Sequence, residues 1–91
     1  MLYPFISYPD GTEIVHSEIY FENALPVVRV EIEQPDNKSE HFKSIQMILP
    51  KGDIKQSERF TEKEIQYYKK LILQLSDVIF DNAKDNMNLY K

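Results

Sequence analysis

The stretch from Phe60 to Ala83 (FTEKEIQYYKKLILQLSDVIFDNA) constrains this chain more than any other part of it. Thr61 and Glu64 have the spacing of a capping box, in which each side chain bonds the other residue's backbone N–H. Phe60 and Ile65 occupy the two positions of a hydrophobic staple across that cap. Glu62 and Glu64 put negative charge beside the positive end of the helix macrodipole. Beyond the cap, Ile65, Tyr68, Ile72, Leu75, Ile79 and Ala83 recur at steps of three and four, so they share one face. No Gly or Pro interrupts the run. The pattern predicts one continuous amphipathic helix over 61–83, followed by a fraying tail at 84–91. In that tail, Met87, Leu89 and Tyr90 are the residues able to dock.

The apolar arc of this helix is wider than a single contact requires. Leu71 and Val78 broaden it on one side, and Leu73 and Phe80, one heptad apart, extend it on the other to roughly 200°. The second row, Leu73 and Phe80, is covered either by the sheet edge and N-terminal segment or by another molecule. A chain of 91 residues has little mass to cover both rows, so the expectation is a homodimer through Leu73 and Phe80.

Upstream of the helix the pattern turns to strands. Leu2 to Tyr8 is apolar and aromatic but broken by Pro4, which suits an extended arm or an edge strand. Tyr8-Pro9-Asp10-Gly11 has the residue order of a type I turn. Glu13 to Phe21 reads as one strand with Val15, Ile19 and Phe21 inward and Ile14, His16, Glu18 and Tyr20 outward. Asn23-Ala24-Leu25-Pro26 is the next turn. In Val27 to Glu33, Val28, Val30 and Ile32 alternate with Arg29, Glu31 and Glu33, a strand with one core face and one wet face. Gln34 to Glu40 reads as an exposed loop. His41 to Leu49 follows with Ile45, Met47 and Leu49 inward and Phe42, Ser44, Gln46 and Ile48 outward. Lys51 to Arg59 is polar throughout save Ile54 and reads as a crossover to the helix.

The fold class expected is therefore α+β: a three- to four-stranded antiparallel meander with one long C-terminal helix packed on one face, in two layers. The whole of 1–91 reads as a single domain, with sheet at 1–49, crossover at 50–60, helix at 61–83 and tail at 84–91.

Composition narrows the chemistry. A hydrophobic fraction of 42%, with six tyrosines and five phenylalanines, suits a folded domain. Net charge is -4 and the basic residues never cluster beyond Lys69-Lys70, so nucleic acid is not an expected partner. With no cysteine, disulfides, thiolate metal sites and cysteine nucleophiles are all excluded. MLYPFISYPD lacks the basic and apolar regions of a signal peptide, and no stretch approaches the ~20 apolar residues of a membrane span. A cytoplasmic protein with no membrane contact is expected. Two glycines leave no phosphate-cradling loop, and no serine sits in a nucleophile elbow.

Four groups of residues could nevertheless carry function. His16 and Glu18 share one predicted strand face, and Arg29 and Glu31 share another. Paired in a hairpin, the four would set a His general base beside a carboxylate with Arg29 as an anion clamp. Read plainly, they are cross-strand charge pairs on a solvated face. His16 and His41 have no metal-ligand spacing, so neither a metal nor a cofactor is expected. Asp77, Asp81 and Asp85 recur every four residues on the polar helix face, either a solvated face or a docking stripe for a basic partner. Tyr20 and Phe42, with Ile14 and Ile48 beside them, would make the outer sheet face adhesive unless Tyr3, Phe5 and Tyr8 cover it.

The segment Pro4-Phe5-Ile6-Ser7-Tyr8-Pro9-Asp10-Gly11-Thr12-Glu13, with Ile48-Leu49-Pro50 and the capped helix opening at Thr61, resembles a group of small uncharacterised bacterial proteins. The resemblance spans the two ends of the sheet and the helix start, and leaves out Glu22 to Glu40. It implies a small bacterial protein and carries no functional residue over.

The reading that results is a non-catalytic protein-interaction module whose acidic helix face or outer sheet face engages another protein. Size and acidity suit a small regulatory or inhibitory protein, antitoxin-like or anti-defence, that blocks a basic surface. That step is analogy rather than derivation. The alternative is a small enzyme or ligand-binding protein using His16, Glu18 and Arg29 at a dimer cleft.

Overall fold

The computed structural model of the chain describes residues 1–36 and 41–88, with side chains as far as residue 86. Six strands precede two helices: β1 (Leu2–Ser7), β2 (Glu13–Ser17), β3 (Tyr20–Glu22), β4 (Leu25–Pro35), β5 (Phe42–Leu49), β6 (Asp53–Glu58), α1 (Glu62–Gln74) and α2 (Ser76–Asn88). All pairings are antiparallel, in the order β1-β2-β4-β5-β6, and β3 continues beside β4 past the end of β2. The α+β class and the antiparallel sheet are as expected. The sheet has more strands than expected, and the helical region is two helices rather than one.

The helix start is built as its sequence dictates. Thr61 N–H donates to Glu64 Oε1 at 2.9 Å and Glu64 N–H donates to Thr61 Oγ1 at 3.2 Å, closing the capping box. The bond from Thr61 holds the Glu64 carboxyl below its ordinary value. Phe60 and Ile65 are both buried in the core on either side of that cap. The expected single helix ends early because Leu75 takes φ -98° and ψ 7°, outside helical dihedrals. The helix then restarts at Ser76 and runs to Asn88, so part of the expected tail is helical; 89–91 lie outside the described residues.

α1 lies over β5 and α2 over β1 and β2, so the helical layer crosses the sheet from one side to the other. Beneath it Ile14, Val28, Val30, Ile32, Ile45, Met47 and Leu49 meet Ile65, Ile72, Ile79 and Ala83 in one buried cluster. This is the alternation expected for β4 and β5 and the stripe expected for the helices. Burial of this apolar area is the main term holding the layers together.

β2 departs from expectation. Ile14 and His16, expected outward, are fully buried on the core face, and Val15, expected inward, is not part of the core. Pairing explains the error. His16 is opposite Val30 and Tyr20 is opposite Val27, so three residues, Ser17 to Ile19, face only Val28 and Arg29. That extra residue is a β-bulge, and it reverses which side chains point inward. Ser17 Oγ fills the gap in the ladder by accepting from the Arg29 N–H at 2.9 Å and donating to the Glu18 carbonyl at 2.8 Å. At the end of this segment Ile19 packs on the core as expected, whereas Phe21, also expected inward, is exposed.

The expected crossover at 50–60 is largely strand. After the cis Leu49–Pro50 bond, Gly52 (φ 82°) turns the chain and β6 pairs with β5 as an edge strand. A polar edge strand with Lys55 and a single apolar residue, Ile54, resists further pairing. Two turns follow the residue chemistry. Gly11 N–H bonds the Tyr8 carbonyl at 3.0 Å, and Asp10 Oδ1 accepts from Thr12 N–H at 2.9 Å. Asn23 and Ala24 both have positive φ (51° and 66°), as a two-residue β-hairpin requires. That turn lies a residue earlier than Ala24-Leu25 at its centre would place it. Among the described residues no helix is long and apolar enough to cross a membrane.

Candidate interaction face

Both helices cover the same side of the sheet, so among the described residues the other side carries no second layer. Strand alternation assigns that open face to the side chains between the core positions. Cross-strand register then arranges them in rows. At one end, Glu13 is directly opposite Glu33, Glu33 is opposite Ser44, and Ser44 is opposite Glu58. The next row is Val15, Glu31, Gln46 and Gln56. A third contains Arg29, Ile48 and Asp53, and the last pairs Val27 with Tyr20. The face is acidic at one end and apolar at the other.

The middle is tied together. Arg29 Nε donates to Glu31 Oε2 at 3.3 Å, and Gln46 Nε2 reaches Glu31 Oε1 at 3.5 Å. The acidic end is different. Glu13 and Glu33 are exposed, and among the described residues neither carboxylate has an ion pair or a side-chain hydrogen bond. Like charges directly opposite on a sheet destabilise it by about 0.2–1 kcal/mol. The fold tolerates that penalty with no relief of its own.

At the apolar end, Val27 and Ile48 are buried yet stand apart from the main core. They floor a groove of 360 Å³ between the β3–β4 hairpin and the β5–β6 turn. Its remaining lining includes Leu25, Pro26 and Pro50, with Glu22, Lys51, Asp53 and Lys55 on the rim.

The structure separates the four residues that sequence put together. His16 lies on the core face with Nδ1 2.7 Å from the Ser17 carbonyl and Nε2 2.6 Å from Asn82 Nδ2. Tyr3 and Phe5 close over its ring, with centroids 5.7 and 6.2 Å away. Arg29 and Glu31 are on the opposite face. Glu18 is exposed at the bulge, 3.8 Å from the N-terminal ammonium. The sheet therefore does not bring His16 to Arg29. Among the described residues no group of His, Asp and Glu is arranged to hold a metal ion.

Leu73 is partly exposed but lies over the β5–β6 turn, where its Cδ2 would be 2.9 Å from a Cβ on Gly52. Phe80 packs on the core. The second apolar row therefore has contacts within the chain. Asp77, Asp81 and Asp85 are exposed on α2, with Asp77 in its first turn, where its charge is favourable. Tyr20 and Phe42 do sit on the open face, but their partners on β4 are Val27 and Pro35. Eight residues of strand, roughly 26 Å, separate them, so they form no common patch.

The Glu13–Glu33–Glu58 row is absent from the sequence reading. The period-two Glu31 and Glu33 were the available signal. Reading β2 through its bulge turned Glu13 inward and hid its partner. No protein-family model, curated protein or solved structure matches the chain.

Proposed function

We propose that this chain is a non-catalytic protein-interaction module that lays the acidic end of its open sheet face against a basic surface of another protein. The observation that carries the reading is the Glu13–Glu33 pair. Two exposed carboxylates held opposite one another cost stability, and a cationic partner converts that cost into attraction. Glu58 in the same row extends the negative surface. A small inhibitory protein that masks a basic surface would use such a face, with electrostatic steering raising its association rate.

The test is affinity capture from the source organism with three baits: wild type, Glu13→Gln/Glu33→Gln, and Asp77→Asn/Asp81→Asn/Asp85→Asn. A protein held by wild type and the helix variant, lost from the sheet variant and released by salt, supports the reading. Loss from the helix variant alone moves docking to α2. Retention by both variants refutes the electrostatic account.

A further inference from the structure

We propose that the groove at the apolar end of the open face is filled by a second copy of this chain, joined about a two-fold axis through the β3–β4 hairpins. This contact uses the end of the sheet away from Glu13 and Glu33 and stands independently of the function proposed above.

Three observations point to it. The groove has an apolar floor, Val27 and Ile48, at the end of the face away from its unpaired carboxylates. On its wall, the hairpin carries Leu25, a large apolar residue 60% exposed. It is the kind of side chain that such a floor accepts, and the hairpin offers it at the groove itself.

The rim says what the occupant is. Glu22 and Asp53 stand with Lys51 and Lys55 around the opening. Among the described residues none of the four has an ion pair or a side-chain hydrogen bond. Two acids and two bases are the composition of a self-complementary surface. A two-fold interface requires this, because each patch must meet its own copy. A strongly charged partner of either sign would satisfy only half of the rim. A second copy satisfies all of it, acids of one protomer meeting lysines of the other. The apolar contact would supply the affinity and the rim charges the register.

The decisive measurement is sedimentation equilibrium of the full chain, up to millimolar concentration, with a melting curve for every variant. Wild type is expected to show a doubled molar mass. Leu25→Asp should be a monomer that melts like wild type. Lys51→Glu/Lys55→Glu and Glu22→Lys/Asp53→Lys should each be folded monomers on their own. Mixed together, the two should restore the dimer mass, because opposite rims then face each other. If Leu25→Asp fails to fold, the charge-swapped pair decides the question alone. A wild type that stays monomeric overturns the proposal. So does a dimer that survives both charge swaps but is lost in Leu73→Glu/Phe80→Glu, which would place self-association on the helices.

Discussion

Asn82 on α2, half-buried, donates its side-chain amide to Nε2 of the fully buried His16 on β2 at 2.6 Å. The other ring nitrogen, Nδ1, donates to the Ser17 carbonyl at 2.7 Å, since a carbonyl oxygen can only accept. A polar residue on the inner face of β2 is thus satisfied on both sides, and α2 is registered on the sheet by a directional bond. The aromatic rings of Tyr3 and Phe5 complete the enclosure.

Asn82→Ala leaves Nε2 buried without a partner, which should cost about 1–3 kcal/mol in urea unfolding. In a His16→Phe background the same substitution should cost clearly less. A double-mutant cycle reads the difference as the coupling between the two side chains. Additive losses would mean that the hydrogen bond contributes nothing beyond packing.

Thr61→Ala should cost about 0.5–2 kcal/mol through loss of the helix cap. The same cap shapes the acid limb of the stability curve through Glu64. The Glu64 carboxyl is held below its ordinary 4.5 chiefly by the Thr61 N–H, with the Thr61 hydroxyl and Lys43 adding to the effect. A depressed carboxyl contributes stability that is present above its unfolded value and lost as pH falls through the folded one. The contribution of Glu64 should therefore fade below about pH 4.5. Asp10, lowered by the Thr12 N–H, fades in the same direction. Glu64→Gln should flatten the acid limb in melting curves recorded from pH 6 to pH 2; an unaltered slope would remove Glu64 from the account.

Glu33→Gln should stabilise the protein. It removes one of two facing like charges, a gain of about 0.2–1 kcal/mol. In a chain of this size the melting midpoint would rise by up to several degrees, at about 4–8 °C per kcal/mol. A residue whose loss stabilises the fold while weakening capture of a partner is behaving as a functional residue. A lower midpoint would instead make Glu33 structural.

Gly52→Ala places a Cβ 2.9 Å from Leu73 Cδ2 at a backbone with φ 82°. The left-handed conformation alone should cost about 1–2 kcal/mol. Leu73→Ala made together with Gly52→Ala removes the overlap but not the backbone strain. The double variant should therefore recover less than the whole loss, as judged by urea midpoints. Full recovery would mean that the turn tolerates a side chain and only Leu73 objects.

The capped start of α1 was legible because all of its determinants, Phe60 to Ile65, lie within one turn of one another. β4 and β5 were legible because Val28, Val30 and Ile32, like Ile45, Met47 and Leu49, alternate without interruption. β2 was not. Its inward residues are decided by Ser17 filling a gap in a ladder with Arg29, twelve residues away, and no local pattern encodes that. β6 was missed because an exposed edge strand has little apolar alternation to reveal it; Ile54 alone marks its inner face. The break at Leu75 falls in a run of good helix formers with no Gly or Pro. The acidic row depended on register, and became visible only once Glu13 was placed opposite Glu33.

The placement of α2 over β1 and β2 also sets an order of events during synthesis. Ile14 and His16 leave the ribosome early, whereas Ile79, Asn82 and Ala83 follow some 66 residues after His16. Until then the first hairpin carries an apolar face and an unmatched imidazole with nothing above them. Contacts so distant along the chain form slowly and leave nascent chains prone to stick to one another. A ribosome stalled before Ile79 would therefore hold a sheet open on both sides, a natural client for a chaperone.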